Sequence, residues 1–367
     1  MSKKILYLMN VPWEWIKQRP HFIAEGLSEH YKVQIMSEMT YRRKQIKNET
    51  NHNVKRFFKL PFGRFSIINK INKILYIIQL KLYIKRNEII WISSPDIFNF
   101  ISEKDLINKK VIYDCMDNYI EFPAVTVNQS KKENIILNEG NLCKRSDIIF
   151  FSSEYLQKVL CERYGIKNKS YVVNNALVSI QDKKESNVEL PKSIIDKYIN
   201  NSNYKITYIG TISRWFDFEL IKSILNQYKD CEIFLFGPTE MDCPEIERLT
   251  YMGTIEHNLI FKIMDETDIL IMPFIINELI KSVNPVKLYE YIYTGKPIIA
   301  PLYGESLKFE PYVYLYSNNN ECLDLIDKIK KGENKSKKTK EECILYCKSN
   351  TWKNRINSIC SCIDCIN

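Results

Sequence analysis

The sequence predicts two doubly wound parallel α/β domains, each a Rossmann-like sheet clothed in helices, and three observations carry that prediction. Short apolar runs of strand length alternate with helix-period patterns in two successive sets, the arrangement that builds parallel sheets with crossover helices. The 367 residues suffice for two domains of ordinary size, and a hydrophobic content of 45% excludes general disorder. In the second set, the run from Asp268 to Phe274 reads as a buried strand, and a fully punctuated helix follows it. Asn284 suits the N-cap, Pro285 the first helical position, and Gly295 the left-handed residue after the last turn.

Taken in order, the first strand is Lys3 to Met9. It leads into a loop holding Trp13, Trp15, Gln18, Arg19 and His21, then a helix from about Pro20 to Glu29. A strand-to-helix loop so dense in stacking and hydrogen-bonding groups suits contact with sugar or phosphate. The alternative reading makes Trp13 and Trp15 core anchors. Strands at 32–36 and 54–58 precede a helix from Ser66 to Arg86, in which Ile67, Ile71, Ile74, Leu75, Ile78 and Leu82 share one stripe and are expected to face the core. A second stripe, Ile77, Leu80 and Ile84, lies between Lys73 and Lys81 and is expected either to meet an anionic membrane or to face water. Strands at 88–92 and 111–114 follow. The latter ends in Asp114, Cys115, Met116 and Asp117, two carboxylates at the carboxyl edge of a parallel strand, where such sheets keep their chemistry. Acid–base work and capping of the next helix both fit them. A helix over 132–145, a strand over 147–151, a capped helix at Ser153 and a strand near 171–173 complete the first domain, and the polar stretch 179–189 is the expected linker.

The second domain opens with a strand over 205–209, and Gly210 to Asp217 turns it into a helix. Gly210 permits close backbone approach to a ligand, and Arg214 offers a planar fork for phosphate. Strands at 232–236 and near 251 and a helix over 256–266 precede the punctuated helix. Asn277, Glu278, Lys281 and Ser282 occupy the loop before it, and a strand from Pro297 to Ala300 comes after. The helix N-terminus at Asn284, Pro285 and Val286 lies at the carboxyl edge of a sheet, with N–H groups and a positive dipole end. Lys287 adds charge for a phosphate, and Glu290 one turn on accepts hydrogen bonds from a diol such as ribose. A nucleotide uses both. The competing reading is a well-capped core helix with both charges in solvent.

Glycine is scarce, ten residues in all, and neither GxGxxG nor GxxxxGK[ST] occurs, which removes support for kinase and dinucleotide-enzyme readings. The net charge of +9 is unevenly placed: between residues 41 and 87, Arg42, Arg43, Lys44, Lys47, Lys55, Arg56, Lys59, Arg64, Lys70, Lys73, Lys81, Lys85 and Arg86 face Glu49 alone, a patch suited to an anionic surface. The start at Ile5 is too short for a secretory signal, and no apolar span reaches membrane length, so a cytoplasmic chain is expected, with a peripheral position on the inner face of the membrane as a refinement. Eleven cysteines are then expected to stay reduced, and the C-terminal group lacks the paired CxxC spacing of a zinc site.

The run Asn284-Pro-Val-Lys-Leu-Tyr-Glu290-Tyr, followed by Gly295-Lys-Pro, resembles the donor-binding helix of GT-B glycosyltransferases of the family 4 type, particularly bacterial enzymes of capsule and teichuronic-acid synthesis. The Trp13-x-Trp15 and Gln18-Arg19-Pro20 patterns resemble the same enzymes. The resemblance implies two domains, 1–180 on the acceptor side and 190–350 binding the donor, facing each other across a cleft, with 351–367 crossing back to the first. It implies that Glu290 holds the ribose of a nucleotide-sugar and the helix amides its diphosphate, with Gly210, Arg214, Lys281, Ser282, Asn284, Pro285, Val286 and Lys287 around them. Two departures stand out. Ser282 occupies the place of a second Glu, and Met116-Asp117 that of a His-Asp pair, which leaves Asp114 and Asp117 as the catalytic candidates. The implied function is sugar transfer, with retention of configuration, to a lipid-linked or growing surface polysaccharide, needing neither cofactor nor metal and involving no nucleic acid. A non-catalytic nucleotide-sugar-binding partner and a sugar epimerase are the alternatives; donor turnover with and without acceptor separates them.

Overall fold

The structure, a computed structural model, describes residues 3–15, 17–37, 52–62, 64–177, 189–256 and 259–365. The chain divides into two units, Met1–Asn175 with Trp352–Asn367, and Ala176–Thr351. The linker expected at 179–189 and the basic residues 42, 43, 44 and 47 fall wholly or almost wholly outside the described residues.

The first unit runs β1 (Lys4–Leu8), α1 (Arg19–His30), β2 (Lys32–Ser37), β3 (Val54–Arg56), α2 (Ser66–Arg86), β4 (Ile89–Ile92), α3 (Pro95–Phe98), β5 (Lys110–Cys115), α4 (Pro123–Thr126), α5 (Gln129–Arg145), β6 (Ile148–Phe151), α6 (Glu154–Tyr164) and β7 (Ser170–Val172). Its seven strands are ordered β3-β2-β1-β4-β5-β6-β7, all parallel. β4 and β6 are buried at every residue, because helices cover both faces of a parallel sheet. The strand order reverses between β1 and β4, which makes their carboxyl ends a topological switch point.

The second unit runs α7 (Lys192–Ile194), β8 (Tyr204–Ile209), α8 (Phe218–Gln227), β9 (Cys231–Phe236), β10 (Leu249–Gly253), α9 (Ile260–Asp265), β11 (Ile269–Ile271), α10 (Glu278–Lys281), α11 (Val286–Thr294), β12 (Ile298–Pro301), β13 (Tyr314–Tyr316), α12 (Asn319–Lys330) and α13 (Lys340–Ser349). Its six parallel strands are ordered β10-β9-β8-β11-β12-β13, with the switch between β8 and β11. Cys343 and Cys347 on α13 are buried against α11, where the Cys347 thiol donates to the Tyr289 carbonyl at 3.4 Å, so these cysteines fill core space.

Three expectations need correction. The stripe Ile67, Ile71, Ile74, Ile78 and Leu82 of α2 is exposed, whereas Leu80 and Ile84 are buried. Both stripes have helical period, and the choice between them is made by aromatic packing: Tyr76 meets Phe57 at a tilt, 4.2 Å between centroids, and Phe100 edge-on at 5.0 Å. The key helix α11 starts at Val286 with Pro285, not Asn284, at the N-cap. Finally, the helix expected over 256–266 shortens to α9, and the loop expected at 278–281 is instead the single turn α10, capped by Asn277 accepting from the Ile280 N–H at 2.9 Å.

The terminal helix α14 (Trp352–Asp364) packs on α1. Trp352 stacks on Phe22 at 5.3 Å, and a Cβ on Gly26 would sit 2.4 Å from Ile356 Cγ1. Gly26→Ala is therefore expected to overpack this seam, costing about 1–3 kcal/mol and several degrees of melting temperature. Combining it with Ile356→Ala should recover part of the loss; a double-mutant cycle with purely additive effects would contradict the close contact.

Candidate functional site

In the second unit, the loops leaving β8 and β11 meet at the switch point. Phe216 and Phe274 bridge, the Asp217 N–H donates to the Pro273 carbonyl at 2.9 Å, and the Ile275 N–H donates to the Trp215 carbonyl at 2.7 Å. Asp217 caps α8 by accepting from the Leu220 N–H at 2.9 Å. The buried Tyr291 hydroxyl seats α11 on the end of β8: it accepts from the Ile209 N–H at 2.8 Å and lies 3.4 Å from the Ile209 carbonyl. Gly210 is required by internal packing, since a Cβ there would come within 2.5 Å of the Tyr208 hydroxyl. Gly237, at φ +138°, in turn leaves no room for a Cβ beside the Gly210 carbonyl.

At the head of α11 the N-cap is Pro285, which has no side chain able to cap the helix, and the N–H groups of Val286 and Lys287 have no intrahelical acceptor. Lys287 Nζ lies 2.9 Å from Glu290 Oε2, joining the expected phosphate and ribose ligands in one ion pair, with the Glu290 side chain 6% exposed. Arg214 is exposed and makes no ion pair among the described residues. Lys281 pairs with Glu278 at 2.7 Å on the surface, a contact worth little in water. Ser282 is buried and its hydroxyl donates to the Leu279 carbonyl at 2.6 Å, so an inward-turned side chain stands where the resemblance would put a carboxylate.

Asn284 is buried as well, donating to Glu305 Oε2 at 3.1 Å, and Glu305 is itself held by Lys308 at 3.1 Å. Sequence reasoning missed Glu305 and Lys308; the available signal was their place just beyond the carboxyl end of β12. An open recess of about 490 Å³, lined by Pro238, Met241, Cys243, Tyr251 and Thr254 among others, lies at the carboxyl ends of β9 and β10.

The first unit treats its expected site residues unevenly. Trp13 is buried against His21 and His52, at 5.3 and 5.9 Å between ring centroids, while Trp15 is half-buried and Gln18 exposed. His21 Nδ1 accepts from the Gln18 N–H at 3.2 Å, which leaves the proton on Nε2, 3.3 Å from the Pro12 carbonyl; burial holds its pKa below the usual histidine value. Arg19 and Asp114 are both buried and joined to each other through Nε at 3.0 Å and Nη2 at 2.8 Å, and Arg19 Nη1 also donates to the Val173 carbonyl at 2.6 Å. Arg19, His21 and Asp114 thus bond to groups of their own unit, and the Trp13 ring packs between two histidines.

Asp117 differs. It is half-buried, and its carboxylate makes no hydrogen bond or ion pair among the described residues. Burial pushes its pKa up to about 6, opposed by Arg19 and assisted by the negative charge of Asp114. Its loop is pinned by Ser152, whose hydroxyl donates to the Met116 carbonyl at 2.6 Å. Next to it, the buried Asn118 Oδ1 has no hydrogen-bond partner among the described residues, a residue that sequence reasoning passed over.

No family model matches the chain. It is 27% identical over 247 residues to TuaH of Bacillus subtilis (strain 168), provisionally described as a teichuronic acid biosynthesis glycosyltransferase; the match spans 63% of this chain and 61% of that relative. Among solved structures, sucrose-phosphate synthase of Thermosynechococcus elongatus matches with TM-score 0.71 at 12% identity, covering 98% of both chains. Anabaena HepE in complex with UDP-glucose matches at 0.67 and 12%, covering 99% of this chain and 100% of that one. The E. coli trehalose-6-phosphate structure bound with UDP-2-fluoro glucose matches at 0.68 and 10%, covering 98% of each. The chain is thus a GT-B-fold protein, two Rossmann-like α/β units in one polypeptide, similar in sequence over 63% of its length to a protein provisionally described as a teichuronic acid biosynthesis glycosyltransferase.

Proposed function

We propose that the chain is a glycosyltransferase that moves a sugar from a nucleotide-diphosphate donor to a lipid-linked or growing cell-surface polysaccharide. The observation that carries the reading is the proline-led head of α11 at a switch point, bearing the Lys287–Glu290 pair. A diphosphate on the Val286 and Lys287 amides would draw the Lys287 ammonium to itself. Glu290 Oε2 then turns to the ribose diol, so one charge pairing replaces another. UDP-glucose and UDP-2-fluoro glucose, bound in two fold neighbours, supply the donor class.

In the transfer, the acceptor hydroxyl oxygen bonds to the anomeric carbon as the bond from that carbon to the β-phosphate oxygen breaks. The electron pair leaves on the diphosphate, where the α11 amides, Lys287, Lys281 and Arg214 stabilise it, with no metal required. The proton goes to a general base, and within the first unit the chemistry of Asp117 suits that role, since a pKa of about 6 leaves it an ionised, weakly stabilised base at neutral pH. Retention of configuration rests on the resemblance alone. The buried Ser282 favours a second reading, a nucleotide-sugar-binding partner without turnover.

Three outcomes test this. In a thermal-shift panel, a donor at about 100 times its Kd should add about 2.7 kcal/mol of stability, and Glu290→Ala should weaken the response at least about tenfold in concentration; an unchanged response would remove Glu290 from the ribose. Binding without hydrolysis or transfer, across all donors and membrane acceptors, would establish the second reading. For Asp117 the sign is set by its raised pKa: below about pH 4 both folded and unfolded chains are protonated there, and the stability it contributes is lost as pH rises through 6. Asp117→Asn should therefore slow transfer by about 10²-fold or more yet stabilise the fold near pH 7–8 by order 1–3 kcal/mol, the lower figure allowing for its partial exposure, with no gain at pH 4. Equal melting temperatures at pH 7 would contradict the shielded carboxylate.

A further inference from the structure

Helix α2 carries an apolar face with no protein against it among the described residues. Ile67, Ile71, Ile74, Ile78 and Leu82 are 40–74% exposed and fall within an arc of about 80° at 3.6 residues per turn, opposite the buried Leu80 and Ile84. A second apolar row lies beside them. The backbone of Phe58 is clasped by the Gln79 side chain, with bonds of 2.8 and 3.0 Å, and that of Leu60 by Asn72, at 2.7 and 3.1 Å. These two amide clasps lay the segment along the flank of α2, and Phe58, Phe62 and Phe65 are 53–65% exposed. Eight large exposed apolar side chains thus lie on α2 and on the segment clasped to its flank, far more than singly scattered surface residues.

The charges around that face select its occupant. α2 contains Lys70, Lys73, Lys81, Lys85 and Arg86, all exposed, and no acidic residue. Arg64 lies over the Phe65 ring at 5.1 Å, at the edge of the same face. A second copy of this chain would bring five more cations against these five, a repulsive match. Anionic phospholipid offers the reverse: acyl chains for the isoleucines and phenylalanines, headgroup phosphates for the lysines. No helix among the described residues is long and apolar enough to cross a membrane, so α2 would lie in the interface.

We propose that the outward face of α2, with the Phe58–Phe65 segment clasped to it, docks on an anionic phospholipid membrane. This uses the face opposite to the one that the sequence pattern suggested. It depends on nothing at the donor site, so a chain that binds no nucleotide-sugar floats equally well.

The test is flotation of the full chain with phosphatidylcholine vesicles, with and without phosphatidylglycerol. Wild type should float with the anionic vesicles, remain behind with pure phosphatidylcholine, and lose binding as salt is raised. Ile74→Glu with Ile78→Glu should reduce the bound fraction at least about tenfold, and Lys70→Glu with Lys81→Glu and Lys85→Glu should do likewise. All five side chains are exposed, so melting temperatures should stay close to wild type. Vesicle binding unchanged in both variants would overturn the proposal. So would a dimer that ignores vesicles and that Ile74→Glu with Ile78→Glu dissolves, because a second copy would then cover the face.

Discussion

One tyrosine hydroxyl fixes where the second unit can work. Tyr291, midway along α11, bonds to both backbone groups of Ile209 at the end of β8, so the helix is registered against the strand across the switch point. The group is fully buried, and withdrawing it would leave the Ile209 N–H without its acceptor in a low-dielectric interior, a far larger cost than the bond is worth in water. With α11 seated in this way, its head stands among the loops after β8 and β11, which are themselves tied by the Phe216–Phe274 bridge. The position of the helix start, with its N–H groups at the switch point, is thus a consequence of sheet topology, and Lys287 and Glu290 stand on its first turns.

The first unit repeats the topology with a different outcome. Two carboxylates sit three residues apart at the end of β5. Asp114 is neutralised by Arg19 in a buried, bidentate pair that is braced further by the Val173 carbonyl and by Trp352 under the guanidinium at 6.0 Å. Removing one partner of such a pair strands a charge in the interior, and the pair links α1 to β5 with Trp352 of α14 against it. Asp117 has no such partner, and the ionised form it adopts at neutral pH is disfavoured by its surroundings. Two carboxylates at one strand end thus meet opposite environments, one paired with a cation and one disfavoured in its charged form.

Much of this was legible in the sequence because parallel strands covered on both faces announce themselves as unbroken apolar runs, as Ile89–Ile92 and Ile269–Ile271 do. The helix at α11 was legible through Pro285 and Gly295, with a one-residue slip at its start, where Asn284 turned inward to Glu305, twenty-one residues away. Partners at that distance leave no local mark. The same holds for Arg19 and Asp114, ninety-five residues apart: their types suggest ligand binding, and only tertiary packing shows that they serve each other. On α2 the pattern held two apolar stripes, and period alone does not say which one finds a partner. Tyr76 decided it by meeting Phe57 and Phe100.

The central claim is that the head of α11 takes the diphosphate of the donor, and backbone hydrogen exchange reads it most directly. With UDP-glucose as the first probe, followed by other nucleotide-sugars, the amides of Val286 and Lys287 should exchange more slowly on donor binding, together with those from Gly210 to Trp215, as hydrogen bonds to phosphate replace contact with water. Donor binding that protects other segments and leaves Val286 and Lys287 exchanging at their original rates would contradict it.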